Sequence, residues 1–246
     1  FDSVYVGHPV ADACRESLEG FNRREFIFSL KLNPDSPVVT VFPGSRHTEI
    51  ERLLTPALDA LKILKSNHPE IQAIISAAPH VDPQTLQNKV TLDGVKVVQA
   101  DSFKLLAAAD AALVKSGTSN TQAAFARVPF VMFYSAPRLS EWVVRKFVKL
   151  SSYSIVNIVR PDTVTELLQN NVTGQTIADE LERLLFNDNK RAEVIAGLDY
   201  VANEFASYDD NRLFFDCMSS SDRVVRLIEE LVGVTGESFG QLAAEG

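Results

Sequence analysis

The chain has 246 residues, with 24 basic and 32 acidic side chains and a formal net charge of −8. Apolar residues make up 46% of it and charged residues 23%, close to the average of globular domains. Its longest apolar runs are only a few residues, whereas a membrane-spanning helix needs about 20. The acidic balance argues against a general nucleic-acid-binding protein. We therefore expect a globular protein with no transmembrane helix and no nucleic-acid partner.

The positions of the cysteines and histidines predict no metal site. Cys14 and Cys217 cannot build a disulfide framework, and neither stands in a metal-ligand spacing. The histidines are scattered and form no HExxH pair. We therefore expect no bound metal, no cofactor and a reducing compartment.

The regular part of the chain begins after an opening segment. Residues 1–36 start without an initiator methionine and read as an interdomain linker, or as the start of one half of a larger protein. We therefore expect a fragment that lacks N-terminal sequence. Val38–Phe42 is a β-branched run that ends at Pro43-Gly44, which predicts a buried parallel strand.

Helices and strands alternate after that first strand. Thr48 with Glu51 matches a capping box and opens a helix that reaches Leu64, with a kink or a restart expected at Pro56. Further strands are predicted at Ile71–Ser76, Val95–Gln99, Ala111–Val114 and Phe130–Phe133, and further helices at Pro83–Lys89, Ser102–Ala109 and Thr118–Ala126. Such alternation over short connections forms a parallel sheet covered on both faces. The predicted fold class is therefore α/β, with a doubly wound, Rossmann-like parallel sheet and C-terminal helices.

The last third of the chain reads as helical. After Pro161, helices are predicted at Asp162–Gln169, Thr176–Phe186, Arg191–Phe205 and Asp222–Val232, followed by a frayed tail over residues 233–246. Before them, Pro137–Leu150 reads as an amphipathic helix with a basic stripe beside aromatic residues. That helix fits either a contact with an anionic membrane surface or an ordinary helix with one buried face.

Two strand-to-helix loops carry residues suited to phosphate, and ligands of parallel sheets bind beyond the carboxyl ends of the strands. In the first loop, Gly44 permits a close backbone approach, Ser45 offers a hydroxyl, and Arg46 offers a planar guanidinium. The following helix would direct its positive N-terminal end to the same place. A surface turn with a solvated arginine is the alternative for this loop.

The second loop, Lys115–Thr118, carries Ser116, Gly117 and Thr118 at the start of a helix. Its hydroxyls could cap that helix, or its backbone N–H groups could cradle a diphosphate. Both loops would project over the same edge of the sheet, which favours a shared phosphate site. The sequence has no Walker-type lysine motif and no GxGxxG, which argues against an ATPase or a dinucleotide-binding enzyme.

A polar residue interrupts the apolar run Ser154–Val159. Asn157 could be an amide at the end of a strand, with its hydrogen bonds satisfied there. It could instead bind a ligand at a cleft. The sequence leaves both interpretations open.

These pieces resemble the lipid-A-disaccharide synthase family, glycosyltransferases of the two-domain GT-B type (family 19). Val6–Asp12 is similar to the family's VGHPLAD segment, and Phe42–Arg46 with Glu49 is similar to its LLPGSRxxE loop. Ser116-Gly117-Thr118 resembles the start of its SGTATLE turn, Asn157 falls where the family has Pro-Asn-Leu, and Glu166–Gln169 is similar to the ELLQ that follows. Five motifs in the same order make the resemblance fairly specific.

That resemblance implies an activity and a cellular place. Enzymes of this family transfer 2,3-diacylglucosamine from UDP to 2,3-diacylglucosamine 1-phosphate, with inversion, in lipid A biosynthesis. They are cytoplasmic and peripheral on the inner membrane (or organellar in a eukaryote), a contact that Pro137–Leu150 would serve, and a homodimer is compatible. Residues 37–232 would be the UDP-sugar donor-binding domain. The acceptor-binding N-terminal domain, with its presumed catalytic base, would be missing, so this chain alone would be inactive.

The resemblance also implies roles for the site residues. Arg46 and the amides of Ser116–Thr118 would bind the UDP diphosphate, where they would stabilise charge on the leaving group without a metal. Gly44 and Ser45 would complete the substrate-binding loop. Asn157, the second catalytic candidate beside Arg46, would lie near the donor or acceptor sugar.

Two departures from the family pattern leave alternatives open. Gln122 stands where the family has a glutamate, the kind of residue that accepts hydrogen bonds from ribose hydroxyls, and it keeps the acceptor oxygen without the charge. Val156 replaces the proline before Asn157. One alternative is a GT-B enzyme for another UDP-sugar, because phosphate loops do not read the sugar. The other is a non-catalytic nucleotide-binding or dimerisation module.

Overall fold

The computed structural model describes residues 4–135, 152–206 and 219–232 of the chain. Within them, six strands form one sheet in which every neighbouring pair is parallel. The strands are β1 Val38–Phe42, β2 Gln72–Ser76, β3 Val95–Val98, β4 Ala111–Lys115, β5 Phe130–Tyr134 and β6 Thr165–Leu168.

The helices cover this sheet in two groups. They are α1 Pro9–Leu18, α2 Arg23–Ser29, α3 His47–Asn67, α4 Pro83–Gln87, α5 Ser102–Ala107, α6 Thr118–Phe125, α7 Ile155–Val159, α8 Gly174–Phe186, α9 Asp188–Ala206 and α10 Ser220–Val232, with a 3₁₀ turn at Gln169–Asn171. α3 packs against α8, whereas α1, α5, α6 and α9 pack together. Right-handed crossovers place such groups on opposite faces of a parallel sheet. The predicted doubly wound α/β fold is confirmed.

The strand order, β3-β2-β1-β4-β5-β6, sets where a ligand can enter. Val39 of β1 lies opposite Ala73 of β2 on one side and Ala111 of β4 on the other. From β1 the chain continues through α3 to β2, and from β4 it continues through α6 to β5, in the opposite direction. The two connections diverge, so a crevice is left between β1 and β4 at the carboxyl edge.

β1 is the centre of the hydrophobic core. All five of its residues are buried, as expected for a strand covered on both faces. Its polar residue, Thr40, donates its hydroxyl to the carbonyl oxygen of Leu105 in α5 at 3.0 Å. The buried hydroxyl is therefore satisfied, and it joins the sheet to a covering helix.

The predicted helix at Asp162–Gln169 is wrong. Its central residues form β6, which pairs in parallel with β5 and places Leu168 opposite Tyr134. A four-residue segment has too little intrinsic preference to resist pairing with an available strand. The apolar run around Asn157 forms the short helix α7, not a strand.

Helix α3 also differs from the prediction. It begins at His47 and runs to Asn67 without a restart at Pro56. Its capping carboxylate is that of Glu49, not Glu51, because the helix starts earlier than Thr48. Glu49 Oε2 accepts the backbone N–H of Arg46, the N-cap residue, at 3.4 Å.

Several predicted features lie outside the described residues: the helix at Pro137–Leu150, Cys217 and the tail at 233–246. The opening segment, residues 1–36, contains α1 and α2, and α1 packs on α5 and α6. None of the helices in the described ranges has the length and apolar character of a membrane span.

His8, in the Val6–Asp12 motif, fixes the start of α1. Its Nδ1 accepts the backbone N–H of Val10 at 3.1 Å, so the side chain caps the helix. The imidazole ring lies 5.6 Å from the ring of Phe205 and 6.0 Å from that of Phe125, measured between centroids. The motif therefore ties α1 to α6 and α9 and belongs to the scaffold.

Asp12 of the same motif connects α1 to α10. It accepts the backbone N–H of Ser220 at 2.7 Å, accepts the Ser220 hydroxyl, and pairs with Arg15. Burial raises the pKa of Asp12, but the hydrogen bonds from Ser220 and Arg15 outweigh it, so the pKa lies below its ordinary value. The ionised carboxylate therefore stabilises this junction.

Replacing Asp12 with Ala should lower the free energy of unfolding by about 1.5–3 kcal/mol near neutral pH, as for hydrogen bonds to a charged group. Because the folded-state pKa lies below its ordinary value, this stabilisation is complete above the ordinary pKa and disappears as the pH falls through the folded-state pKa. Urea unfolding of the variant and of the unaltered chain, from about pH 7 down to about pH 3, measures this difference in the free energy of unfolding.

The control is Asp35→Ala, which removes a pair with Arg24 whose side chains are 65% and 68% exposed. We expect it to leave stability nearly unchanged, because water screens such pairs. An Asp12→Ala variant as stable as the unaltered chain at neutral pH would contradict the role given to this carboxylate.

Candidate functional site

A cavity of about 450 Å³ lies at the carboxyl edge of the sheet, where β1 to β4 end. The described residues that line it are Phe42, Gly44, Ser45, Ser76–Pro79, Ala100–Ser102 and Lys115–Ser119. It includes the crevice between β1 and β4, where doubly wound sheets bind their ligands. The two loops predicted to bind phosphate both line it.

Glu49 holds the loop after β1 in place. Its Oε2 accepts the backbone N–H of Ser45 at 3.3 Å and that of Arg46 at 3.4 Å. Gly44 has φ +114°, and a Cβ there would lie 2.7 Å from Glu49 Oε2. Only glycine allows this loop to pass so close to the carboxylate. From the loop after β2, His80 Nε2 donates to the Ser45 carbonyl oxygen at 2.6 Å.

Glu49 also joins this loop to β4. Its Oε1 lies 3.0 Å from Lys115 Nζ and 3.2 Å from a guanidinium nitrogen of Arg46. The side chains of Glu49 and Lys115 are 15% and 20% exposed, whereas that of Arg46 is 79% exposed at the rim. Burial raises the pKa of Glu49, but the hydrogen bonds from Lys115 and the loop amides have a larger, opposite effect. The pKa of Glu49 therefore lies below its ordinary value. Glu49 is therefore ionised at neutral pH.

The loop after β4 leads into α6 without a side-chain cap. Gly117 is the N-cap residue, with φ +134° and ψ −152°, a conformation open to glycine and strained for other residues. The hydroxyl of Ser116 donates to the carbonyl oxygen of Tyr153 at 3.2 Å instead of capping the helix. Gly117, Thr118 and Ser119 line the cavity. An uncapped helix start has partial positive charge and N–H donors, which suit an anion.

The structure brings some of the sequence-predicted residues together and leaves others apart. Those that line the cavity are Gly44, Ser45, Ser116, Gly117 and Thr118. Arg46 lies at the rim, and the backbone N–H of Ser116 is already hydrogen-bonded to the Phe133 carbonyl oxygen at 3.3 Å. Gln122 Nε2 donates at 2.9 Å to the hydroxyl of Ser102. Ser102 lines the cavity, and Gln122 contacts it from the side away from the cavity lining.

Asn157 lies at a second cavity, of about 410 Å³. Its Nδ2 donates to the Val164 carbonyl oxygen at 2.8 Å and to Glu166 Oε1 at 2.9 Å, and its Oδ1 accepts the Val164 N–H at 2.9 Å. Glu166 also accepts the backbone N–H groups of Tyr153 at 2.9 Å and Ser154 at 3.1 Å. The amide of Asn157 therefore connects α7 to β6.

The described part of the chain contains no group of three or more His, Cys, Asp or Glu side chains arranged to hold a metal ion. Cys14 is buried in α1. Burial, with a smaller effect of Asp101, raises the pKa of its thiol to about 12. The thiol is therefore protonated at neutral pH and a poor nucleophile.

Three residues that shape the cavity were given no role from the sequence. Lys115 ends β4, and its position at the carboxyl end of a buried strand was a usable signal. His80 contacts a loop 35 residues away, which no local pattern encodes. Asp101 caps α5, which was predicted to begin at Ser102, by accepting the N–H of Phe103 at 2.8 Å. An aspartate before a helix is a recognisable N-cap signal.

Known proteins identify the family of this chain. A family model described as lipid-A-disaccharide synthetase matches residues 1–209. The chain belongs to the lipid-A-disaccharide synthetase family. The resemblance carried by the five sequence motifs is confirmed by this match.

Curated relatives named lipid-A-disaccharide synthase agree with the family match. The protein of Coxiella burnetii (strain Dugway 5J108-111) is 37% identical over 198 residues, which cover 80% of this chain and 52% of the relative. That of Rhodospirillum centenum (strain ATCC 51521 / SW) is 36% identical over 207 residues, 81% of this chain and 50% of the relative. The chain spans about half the length of the curated relatives it matches.

A solved structure titled as a co-structure of S. aureus MnaA with UDP has a similar fold, with a TM-score of 0.57. The similarity covers 94% of this chain and 55% of that chain at 11% sequence identity. At this identity the likeness supports the α/β fold alone.

Replacing Gly44 with Ala should push the first loop away from Glu49, because the new Cβ would lie 2.7 Å from Oε2. We expect a loss of roughly 1–3 kcal/mol in the free energy of unfolding from the backbone conformation, with the collision adding to it. Urea unfolding measures the loss.

Gly20→Ala is the matched control, since Gly20 also has a positive φ, +65°, but a Cβ there would meet nothing within 4 Å. We expect the control to lose about 1–2 kcal/mol, the cost of a left-handed residue alone. Equal losses in the two variants would show that the contact between Gly44 and Glu49 is not tight.

Proposed function

We propose that this chain is the donor-binding part of a lipid-A-disaccharide synthase, a hexosyltransferase of lipid A biosynthesis. The whole enzyme would transfer 2,3-diacylglucosamine from UDP to 2,3-diacylglucosamine 1-phosphate with inversion of the anomeric centre. Family membership supports the proposal. Since the chain spans about half of its curated relatives, the complete reaction is assigned to the longer protein.

One observation carries the assignment of a donor site to this chain. The uncapped start of α6 opens into a cavity at the crevice between β1 and β4. A diphosphate needs N–H donors and positive potential without bulky side chains in the way, and glycine at both loops supplies that access. The site therefore suits a nucleoside diphosphate.

The diphosphate would bind to the backbone amides of Gly117 and Thr118, with Arg46 reaching it from the rim and Gly44 and Ser45 forming the opposite wall. As the bond between the sugar and UDP breaks, negative charge grows on the departing phosphate. Donors already in place stabilise that charge more in the transition state than in the ground state. No metal ion is needed for this role.

Two further residues would contact the rest of the donor. Gln122, behind the hydroxyl of Ser102, would accept a hydrogen bond from a ribose hydroxyl through its amide oxygen. Asn157 would lie near the donor or acceptor sugar. The proposal for Asn157 rests on the family motif, since the hydrogen bonds described above engage its amide within the chain.

The remaining parts of the reaction are assigned to the longer protein. The acceptor site and the catalytic base would lie in an N-terminal domain, so residues 1–246 alone would bind UDP-sugar without turnover. The protein would be cytoplasmic and peripheral at the inner membrane, with Pro137–Leu150 as the contact. A homodimer is compatible with this arrangement.

Neither alternative gains support from the comparisons. A GT-B enzyme for another UDP-sugar would have the same phosphate loops, but the curated matches carry the lipid-A-disaccharide synthase name. A non-catalytic nucleotide-binding module would bind UDP yet fail to restore activity when joined to the missing half. Transfer by the full-length protein therefore separates the enzyme from the module.

Calorimetric titration of this chain with UDP should give a dissociation constant between micromolar and millimolar, the range of a metabolite site that has only part of its contacts. ADP is the control, and it should bind more weakly because the base differs while the phosphates are the same. A folded chain that binds no UDP would contradict a donor site in this half.

Replacing Arg46 with Ala in the full-length enzyme should remove roughly 2–4 kcal/mol of transition-state stabilisation. That loss corresponds to a decrease in kcat/KM of roughly 30- to 1,000-fold, measured as UDP release. Arg52→Ala is the matched control, because Arg52 is exposed on α3 and does not line the cavity. UDP release at the unaltered rate in the Arg46 variant would remove Arg46 from the reaction.

A further inference from the structure

Lys115 lies between the two loops of the site. It is the last residue of β4, and it directly precedes the turn that starts α6. Its side chain is 20% exposed and lines the cavity. Lys115 Nζ lies 3.0 Å from Glu49 Oε1, and 3.9 Å from where a Cβ of Gly117 would stand. The ammonium group is therefore adjacent to both loops.

The first loop has fewer free donors than its sequence suggests. The backbone N–H groups of Ser45 and Arg46 both point to Glu49 Oε2, so the carboxylate takes the place that a phosphate oxygen would take. While Glu49 is bound there, those amides are not available to a nucleotide. At Ser45 and Arg46, the contacts left for a ligand are therefore those of the side chains.

Of the two cationic side chains paired with Glu49, Lys115 is the one that lines the cavity. Arg46 is 79% exposed and lies at the rim. An ammonium group has three N–H donors, and the hydrogen bond to Glu49 uses one of them. Donors therefore remain on Lys115 for oxygen atoms of a ligand in the cavity.

We propose that Lys115 is a binding residue for the diphosphate of the nucleotide sugar, with its ammonium shared between Glu49 and a phosphate oxygen. This inference rests on the proposed function, because it names a further residue of the same donor site. Glu49 acts here as a positioning residue: it keeps Lys115 Nζ between the loops and prevents the side chain from extending into solvent.

The charges of the cluster support this assignment. Glu49, Arg46 and Lys115 together have a net charge of +1. Without Lys115 the remaining pair is neutral, and the half-buried Glu49 carboxylate would face the diphosphate with the mostly exposed Arg46 as its remaining cationic partner. Lys115 therefore provides the attraction for a polyanion at this edge and offsets the repulsion from Glu49.

The test is a titration of the chain, followed by two-dimensional NMR, with UDP and with uridine. Lys115→Met should weaken UDP binding by roughly tenfold to a hundredfold, the range of a hydrogen bond to a charged group. It should leave the affinity for uridine, which has no phosphate, unchanged. Lys115→Arg should retain most of the UDP affinity because it keeps the charge.

Lys62→Met is the matched control, because Lys62 is exposed on α3 and outside the cavity. It removes the same charge from the chain and should leave UDP binding unchanged. If the Met variant does not fold, Lys115→Gln, which keeps a donor toward Glu49, provides the same comparison. The NMR spectrum reports folding in every variant.

Two results would overturn the inference while leaving the donor site intact: a folded Lys115→Met variant with the UDP affinity of the unaltered chain, or one that loses UDP and uridine equally. The second result would make Lys115 a structural partner of Glu49. If the unaltered chain binds no UDP, the proposed function fails, and the role of Lys115 fails with it.

Discussion

The carboxylate of Glu49 joins the two loops of the candidate site, and the rest of the site depends on that junction. It accepts the amides of Ser45 and Arg46 in one loop and pairs with Lys115 at the end of the neighbouring strand. The low exposure of Glu49 makes these interactions stronger than they would be in water. Gly44 is needed because a side chain there would collide with this carboxylate.

The sheet explains why those two loops meet. β1 and β4 are neighbours, although the segment between their sequences contains two further strands on the far side of β1. Their connections leave in opposite directions, so the crevice at their carboxyl ends is not closed by a crossover. His8 and Asp12 connect α1 to α6, α9 and α10 around this sheet, so part of the family motif supports the fold.

Sequence reasoning predicted the parts of the fold that have a strong local signal. The buried strands β1, β2, β4 and β5 consist mostly of apolar residues, and their alternation with helices predicts the fold class. Thr165–Leu168 was predicted as helix from its local pattern. It is a strand because it pairs with β5, and a local pattern does not encode that pairing. Glu51 was predicted as the capping carboxylate, but α3 begins earlier, at a position that depends on the loop around Arg46. Five predicted residues line the cavity. Lys115 was placed in the second loop without a binding role, because its contact with Glu49 follows from the adjacency of β1 and β4.

The proposed donor site lies at the start of α6, at the crevice between β1 and β4. A crystal structure of the chain with UDP tests that place most directly. The account predicts phosphate oxygens within hydrogen-bond distance of the backbone N–H groups of Gly117 and Thr118. A diphosphate bound at the second cavity, beside Asn157 and Glu166, would contradict it.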